Sequence, residues 1–383
     1  MLVRSPIRTG VRLSKQGSIF LLLSHNFHHA ALRRKREERS REPDTGLTTP
    51  TEEGAHTKSR SPFYFEAGYA CWAKRPSRAF PPPFFSPPSG SFSDPLSTTD
   101  RSRDRRPKVN GDEIRGITNG DDALLVSENL LATNDGVGAW AKKERGHAPL
   151  WSRLIVHFMG MAAEKDGYGA KEEGKEPDPI QYLEDAYEAT KEALAPPTEW
   201  FGTTTVTAAV LHWRSDNTEH PILYVSQLGD SKGLVVRPSE KKVIFGTEEQ
   251  WHYFDCPRQL GTNSPDTPKG NAVLSVVEVE EGDIVLTMSD GVTDNMWEYE
   301  IADKVVEALD KWKANSEHDA DTPLAEAMKY VAQQLVLSAR QIAEDPFAES
   351  PFMERAVEEG LAIEGGKPDD ISVVAGLVQR KKV

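Results

Sequence analysis

Thr133-Asn-Asp-Gly-Val-Gly-Ala-Trp140, read together with Ser289-Asp-Gly291 and the late pair Asp369-Asp370, decides how this chain is understood. Each carboxylate stands at the end of a run that reads as a buried β-strand. Ala123 to Ala132 precedes the first, Asp283 to Met288 precedes the second, and Ile371 to Leu377 follows the third. Glycine beside an acid at a strand end lets the backbone come close to an ion. Hard divalent cations prefer carboxylate, carbonyl and water oxygens, so three such corners from distant parts of one chain point to an oxygen-lined metal site. A single Asp-Gly carries no such message, because the same dipeptide is a favoured hairpin turn.

The pattern around these corners is one of strands in groups and helices in pairs. Phe63 to Trp72 has strand propensity, and Ala123-Leu-Leu-Val126 and Asn129-Leu-Leu-Ala-Thr133 read as adjacent strands. Leu150 to Met161 places apolar residues at helical spacing. Asp178-Pro179 offers an N-cap and a first-turn proline for a helix over Ile180 to Leu194, which Pro196-Pro197 stops. Thr204 to Trp213 and Ile222 to Gln227 read as strands. Gly229-Asp-Ser-Lys-Gly233 then predicts a hairpin into Leu234-Val-Val-Arg237, and Glu281-Gly-Asp283 predicts another between Val273 to Val279 and Ile284 to Met288. Helical periodicity over Ile301 to Trp312 and Leu324 to Ala343 precedes a last strand, Ile371 to Val378. Strands outnumber what a βαβ alternation supplies, which favours an α+β chain of antiparallel sheets packed face to face with helices outside.

In order along the chain, Gly120-Asp-Asp-Ala-Leu-Leu-Val126, Asn134-Asp-Gly-Val-Gly-Ala-Trp140, Gly202-Thr-Thr-Thr205, Leu228-Gly-Asp-Ser231, Ser289-Asp-Gly-Val-Thr-Asp-Asn295 and Gly366-Lys-Pro-Asp-Asp-Ile-Ser372 resemble the signature blocks of the metal-dependent type 2C (PPM-type) serine/threonine protein phosphatases. The resemblance runs from about Ser61 to Val378. It implies a four-layer α/β/β/α sandwich of two mostly antiparallel sheets flanked by helices. It also implies hydrolysis of phosphoserine and phosphothreonine in phosphoprotein substrates at two Mn²⁺ or Mg²⁺ ions per subunit, with a weaker third ion an open possibility. Asp135 would bridge the two ions and Gly136 would offer its carbonyl oxygen, while Asp290 and Asp369 would complete the second ion's ligands. Catalysis would run through these metals, by a hydroxide held between them, with no covalent phosphoenzyme. Asp122 would belong to the same set, and Asp121 would hold metal-bound water; the alternative for this pair is a solvated turn. Asp230 either helps hold a third ion or simply belongs to its Gly-Asp-Ser turn.

Two positions depart from the family's larger members. Val137 stands where they carry a histidine taken as general acid, and Ile117 stands near the register of a phosphate-gripping arginine, leaving Arg115 or Arg145 as substitutes. The Asp-Gly-Val-Gly-Ala-Trp wording, with Glu249-Gln-Trp-His-Tyr-Phe254 and Ser350-Pro-Phe352, resembles the mitochondrial branch of the family, in which valine at that place is usual. A nucleophile elbow is absent around Ser289, and Cys256 lacks a Cys-x5-Arg loop. A catalytically silent phosphatase-fold scaffold that binds partners is the alternative reading.

Composition narrows the rest. The formal net charge of −14 argues against a nucleic-acid footprint. Residues 1–36 nevertheless hold eight Lys or Arg and no acid, which reads as a mitochondrial transit peptide, with a matrix destination. A secretory signal, an anchor or a disordered arm are the competing readings, although Ser18 to Leu23 is too short to span a membrane. Residues 37–60 read as a disordered linker, and 61–380 as the phosphatase domain, interrupted by a Pro- and Ser-rich insertion around 79–107 that is expected to loop out on the surface. Only Cys71 and Cys256 are present, and both are expected to be reduced. A monomer without stable membrane insertion is expected.

Overall fold

A computed structural model describes residues 61–85, 106–170, 175–215, 219–315 and 323–382. The basic leader 1–36, the polar stretch 37–60 and most of the 79–107 stretch lie outside these residues.

The strands of the two main sheets are β1 (Phe63–Trp72), β2 (Ile117–Asn119), β3 (Asp122–Val126), β4 (Leu130–Asn134), β5 (Val206–Ser215), β6 (Glu219–Leu228), β7 (Lys232–Arg237), β8 (Lys242–Gly246), β9 (Val273–Glu278), β10 (Ile284–Met288) and β11 (Ile371–Arg380). They form two antiparallel sheets, ordered β1-β11-β10-β7-β8 and β9-β6-β5-β4-β3-β2. Five longer helices are α1 (Ala148–Lys165), α2 (Pro179–Ala193), α3 (Glu298–Ala314), α4 (Leu324–Ala343) and α5 (Pro351–Glu358). Asp178 caps α2 by accepting from the Gln181 amide at 3.0 Å, as its position before Pro179 predicts.

Strand alternation sorts the apolar side chains into three seams between four layers. Leu124 and Leu131 face inward with Leu211, Val225, Val235, Val285 and Val374, joining the sheets. Their neighbours Leu125, Leu130 and Ala132 point the other way, onto Leu150, Leu154 and Ile155 of α1 and Leu183 of α2. On the opposite surface Leu234, Val236, Leu286, Val373 and Ala375 meet Ile301 and Val305 of α3 and Met328, Val331 and Leu335 of α4. This is the expected α/β/β/α sandwich.

Three expectations need correction. Neither Gly229–Gly233 nor Glu281–Asp283 closes a hairpin: β6 and β7 lie in different sheets, as do β9 and β10. Short glycine-containing turns there carry the chain across the sandwich. At Glu281–Asp283 the burial patterns differ across the turn, since β10 is buried on both faces as a central strand whereas β9 is an edge strand with exposed Val273, Leu274 and Val276. The start of the 79–107 stretch is also packed, because Phe80 and Phe84 are buried in the α1–α2 seam.

β1 lies against α4 with no room for a side chain at Gly68. A Cβ there would sit 2.2 Å from the Lys329 amide nitrogen and 2.8 Å from the Ala325 carbonyl, so Gly68→Ala must push strand from helix. We expect this substitution to lower unfolding free energy by about 1–3 kcal/mol in urea titrations; an unchanged midpoint would contradict the contact.

Candidate metal centre

The Asp135 corner is held by main-chain contacts before any ion is considered. Its carbonyl accepts from the Thr205 amide and the Thr204 hydroxyl, each at 2.9 Å, and its amide donates to Thr205 Oγ1 at 3.1 Å. Thr204 and Thr205 are therefore the splint of this loop. Glycine at 136 answers to space: a Cβ would lie 2.2 Å from the Asp121 carbonyl oxygen and 2.6 Å from Ser152 Oγ. Ser152, on α1, in turn donates to that carbonyl at 2.9 Å. Asp121 and Gly136 thus share one crowded backbone crossing.

Asp370 fastens the other side. Its Oδ1 accepts from the Lys74 amide at 2.8 Å and its Oδ2 from the Asp121 amide at 2.9 Å, while its carbonyl accepts from Ser289 Oγ at 3.2 Å. Gly120 (φ 60°) and Gly291 flank it, and a Cβ at either would collide with Asp370, at 2.1 Å and 2.2 Å. One side chain so ties together the segment after β1, the turn before β3 and the start of β11.

Within this frame the carboxylates of Asp135, Asp230 and Asp290 converge, each offering an oxygen within 4.8 Å of the others. Asp122 is buried beside them and its Oδ2 accepts from Ser372 Oγ at 2.7 Å. Asp369 stands outside that converging group, engaged by the Lys74 ammonium and by the Asp370 amide at 2.7 Å. Asp230 is thus part of the central cluster itself. Its Oδ2 accepts from Trp251 Nε1 at 3.2 Å.

Burial, then mutual repulsion, raises the pKa of this group: Asp290 acts on Asp135 and Asp230, and Asp370 on Asp122. Burial and Asp290 likewise raise Asp369. Asp290 is the exception, since burial is outweighed by the Lys367 ammonium 3.2 Å away and its carboxyl is held low. One buried oxygen on each of Asp122, Asp230 and Asp290 has no hydrogen-bond partner within the protein. Buried carboxylate oxygens without donors are costly, and a hard cation is the ligand whose chemistry matches them.

Several residues at the site were missed by sequence reasoning. Lys74 and Lys367 supply positive charge to the acids, and Arg355 pairs with Asp294 and, at 3.0 Å, with Glu249. Asp290 and Asp294 are four residues apart at a strand-to-helix turn, a spacing that could have flagged the second acid. Arg115 and Arg145, offered as phosphate ligands, pair instead with Glu164 and Glu199 at the surface. The segment after β1 supplies the basic groups: Arg78 lies 3.2 Å from Asp121 Oδ1, and the exposed Arg75 extends to the same edge, where a Cβ on Gly138 would be 3.9 Å from its Nη2 and 3.6 Å from Asp121 Oδ2. His147 is committed elsewhere, its Nδ1 accepting from the Leu150 amide at 3.1 Å to cap α1.

Raised carboxyl pKa values set the sign of a pH effect. A carboxyl that holds its proton more tightly folded than unfolded favours the folded state at low pH, and that advantage is lost as pH rises through the folded pKa. Burial lifts Asp370 to about 6 and Asp294 to about 8, with Asp122, Asp135 and Asp230 also raised. His157 works in the opposite sense, burial and then Arg115 lowering it to about 4, so it opposes folding only below its ordinary pKa near 6.5. In EDTA, Tm should therefore fall from about pH 7 to pH 8.5, and Mn²⁺ should remove the fall by binding the ionised acids. A Tm that rises over this range in EDTA would contradict the assignment.

No family model matches the chain. Over 277 residues it is 34% identical to the human protein "Protein phosphatase PTC7 homolog", covering 69% of this chain and 81% of that one. The Xenopus laevis protein of the same description is 32% identical over 280 residues, covering 69% and 83%. Among solved structures, the photosystem II phosphatase PBCP superposes with a TM-score of 0.52 at 25% identity, over 68% of this chain and 92% of that chain. With the sandwich, the ordered signature blocks and the acidic cleft, these likenesses establish that the chain belongs to the metal-dependent type 2C, or PPM-type, serine/threonine protein phosphatases.

Proposed function

We propose that this phosphatase removes phosphate from phosphoserine and phosphothreonine of mitochondrial proteins at two Mn²⁺ or Mg²⁺ ions held by Asp135, Asp290, Asp369, Asp122 and the Gly136 carbonyl. The observation that carries the reading is the convergence of Asp135, Asp230 and Asp290 with carboxylate oxygens left unpaired in the interior. Asp230 serves either this pair of ions or a third. Two divalent cations bound there would lower the pKa of a water shared between them and neutralise the phosphoryl oxygens.

The chain's own residues do the positioning. Thr204 and Thr205 fix the Asp135 backbone, Ser372 orients Asp122, and Asp370 holds the Asp121 turn against the start of β11. Arg75, exposed at the cleft edge, is the group we assign to the substrate phosphate, in place of the arginine expected near Ile117. Neither thiol is called upon: Cys71 lies on β1 and Cys256 on the short strand Cys256–Pro257, and neither belongs to the converging acids. A scaffold that only binds partners has no use for unpaired acids in a cleft, which favours catalysis over the silent reading.

Phosphate release from a phosphothreonine peptide in Mn²⁺, with and without EDTA, tests this reading. We expect EDTA to abolish release, Asp135→Asn to reduce turnover about 100-fold or more, and Arg75→Ala to raise KM about tenfold. Cys71→Ser with Cys256→Ser should retain activity. Asp135→Asn activity within a few-fold of wild type, in a folded protein, would sink the assignment.

The mitochondrial address rests on the acid-free basic residues 1–36 and on the branch that the Asp135 block resembles. A reporter fused behind residues 1–40 should enter mitochondria. Diffuse or secreted reporter would reject that address.

A further inference from the structure

Lys367 touches two regions that are otherwise separate. Its ammonium lies 3.2 Å from Asp290 Oδ2 and 2.7 Å from Asp294 Oδ2, both on the turn after β10. It also lies 2.8 Å from Asp255 Oδ1, at the tip of a small hairpin formed by Trp251–Tyr253 and Cys256–Pro257. Asp255 adopts a left-handed conformation there, with φ 58°. The ammonium sits 4.8 Å above the ring of Phe352 on α5, and Phe352 stacks on Phe254 of the hairpin with centroids 5.4 Å apart. The hairpin reaches the acids by a second route, through the Trp251–Asp230 hydrogen bond. Two of the three converging carboxylates are therefore tied to one surface hairpin.

We propose that Lys367 is a resident counter-cation that competes with divalent cations for Asp290 and transmits their arrival to the hairpin 251–257. The proposal rests on the metal reading above. An ammonium has three donors and no acceptor, and here they divide between inner acids and an outer one. A divalent cation at Asp290 takes up that carboxylate's charge and repels the ammonium at short range. Lys367 then keeps Asp294 and Asp255, and the hairpin is held more firmly than in the cation-free protein. Coupling between sites is reciprocal, so whatever presses the hairpin onto Lys367 also tightens cation binding. The exposed Tyr253, on the same hairpin, is placed for a bound phosphoprotein to exert that pressure.

Two measurements on the full chain test this: Mn²⁺ titration by calorimetry, and hydrogen exchange of residues 251–257 with and without Mn²⁺. We expect wild type to bind Mn²⁺ and to slow exchange in the hairpin when it does. Lys367→Met, which keeps the apolar stem and removes the charge, should bind Mn²⁺ about five- to tenfold tighter. A purely structural lysine would give the reverse, weaker binding through a loosened Asp290 turn. Asp255→Asn leaves the acids of the cleft intact, and it should bind Mn²⁺ while losing the Mn²⁺-dependent slowing. Equal or weaker Mn²⁺ binding by a folded Lys367→Met overturns the proposal. So does a wild-type hairpin indifferent to Mn²⁺, or an Asp255→Asn hairpin that still responds, and these remain decisive if Lys367→Met fails to fold. Absence of Mn²⁺ binding by wild type overturns the metal reading itself.

Discussion

Crowding like charges into a cleft that water hardly reaches is the constraint on which this molecule is built. Taking a single carboxylate out of water costs several kcal/mol even after relaxation, and here Asp122, Asp230 and Asp290 are buried close to the partly exposed Asp135. The fold answers with fixed positive charge from Lys74, Lys367 and Arg355 and with backbone amides aimed at Asp370. It answers also with rigidity. Thr133 of β4 and Thr287 of β10 join across the two sheets at 2.9 Å, and Asn119 donates to the carbonyls of Trp72 and Ile371 from the opposite sheet. Where the inner seam ceases to be apolar, hydrogen bonds take over and keep the acids from moving apart.

That division explains the placement of glycine. At the cleft, residues 120, 136 and 291 are the points where a side chain would strike: Gly120 meets the Asp370 carboxylate across the two sheets, whereas Gly136 meets the Asp121 carbonyl and Gly291 the Asp370 carbonyl beside neighbouring strands of one sheet. The resemblance to known phosphatases gave Gly136 a role through its carbonyl. Its packing shows an independent requirement, because the Asp121 carbonyl occupies the space a Cβ would need. A position can be glycine for both reasons at once.

Local sequence patterns located most elements well, because alternation in strands and capping in helices are short-range signals. The Asp178 cap and the inward and outward sorting of Leu130 and Leu131 follow directly from them. Sheet membership was not legible. Turns at Gly229–Gly233 and Glu281–Asp283 look like hairpin turns, and at the second of them burial on both faces of β10 against exposure of β9 separates the crossing from the hairpin. The site was legible as a set of acids and not as a balance of charge. Asp-Gly corners announce themselves by chemistry, whereas Lys74, Arg75 and Lys367 become site residues only because strand ends far apart in the chain meet at one edge of the sandwich. No spacing rule encodes that meeting. The exposed ion pairs of Arg115 and Arg145 show how nearness in sequence misleads for such groups.

β11 lies between β1 and β10 in its sheet and carries Asp369 and Asp370 at its entry. The strand that completes the cleft is therefore made more than 200 residues after Asp122 and Asp135, its partners across the site. Contacts of such sequence separation are slow to form, because the intervening loop must be closed before they contribute. Until β11 inserts, β1 has no partner among the described strands and the early acids face an open seam. A chain still emerging from the ribosome thus holds the early acids without the late pair, and the cleft is complete only when this sheet closes.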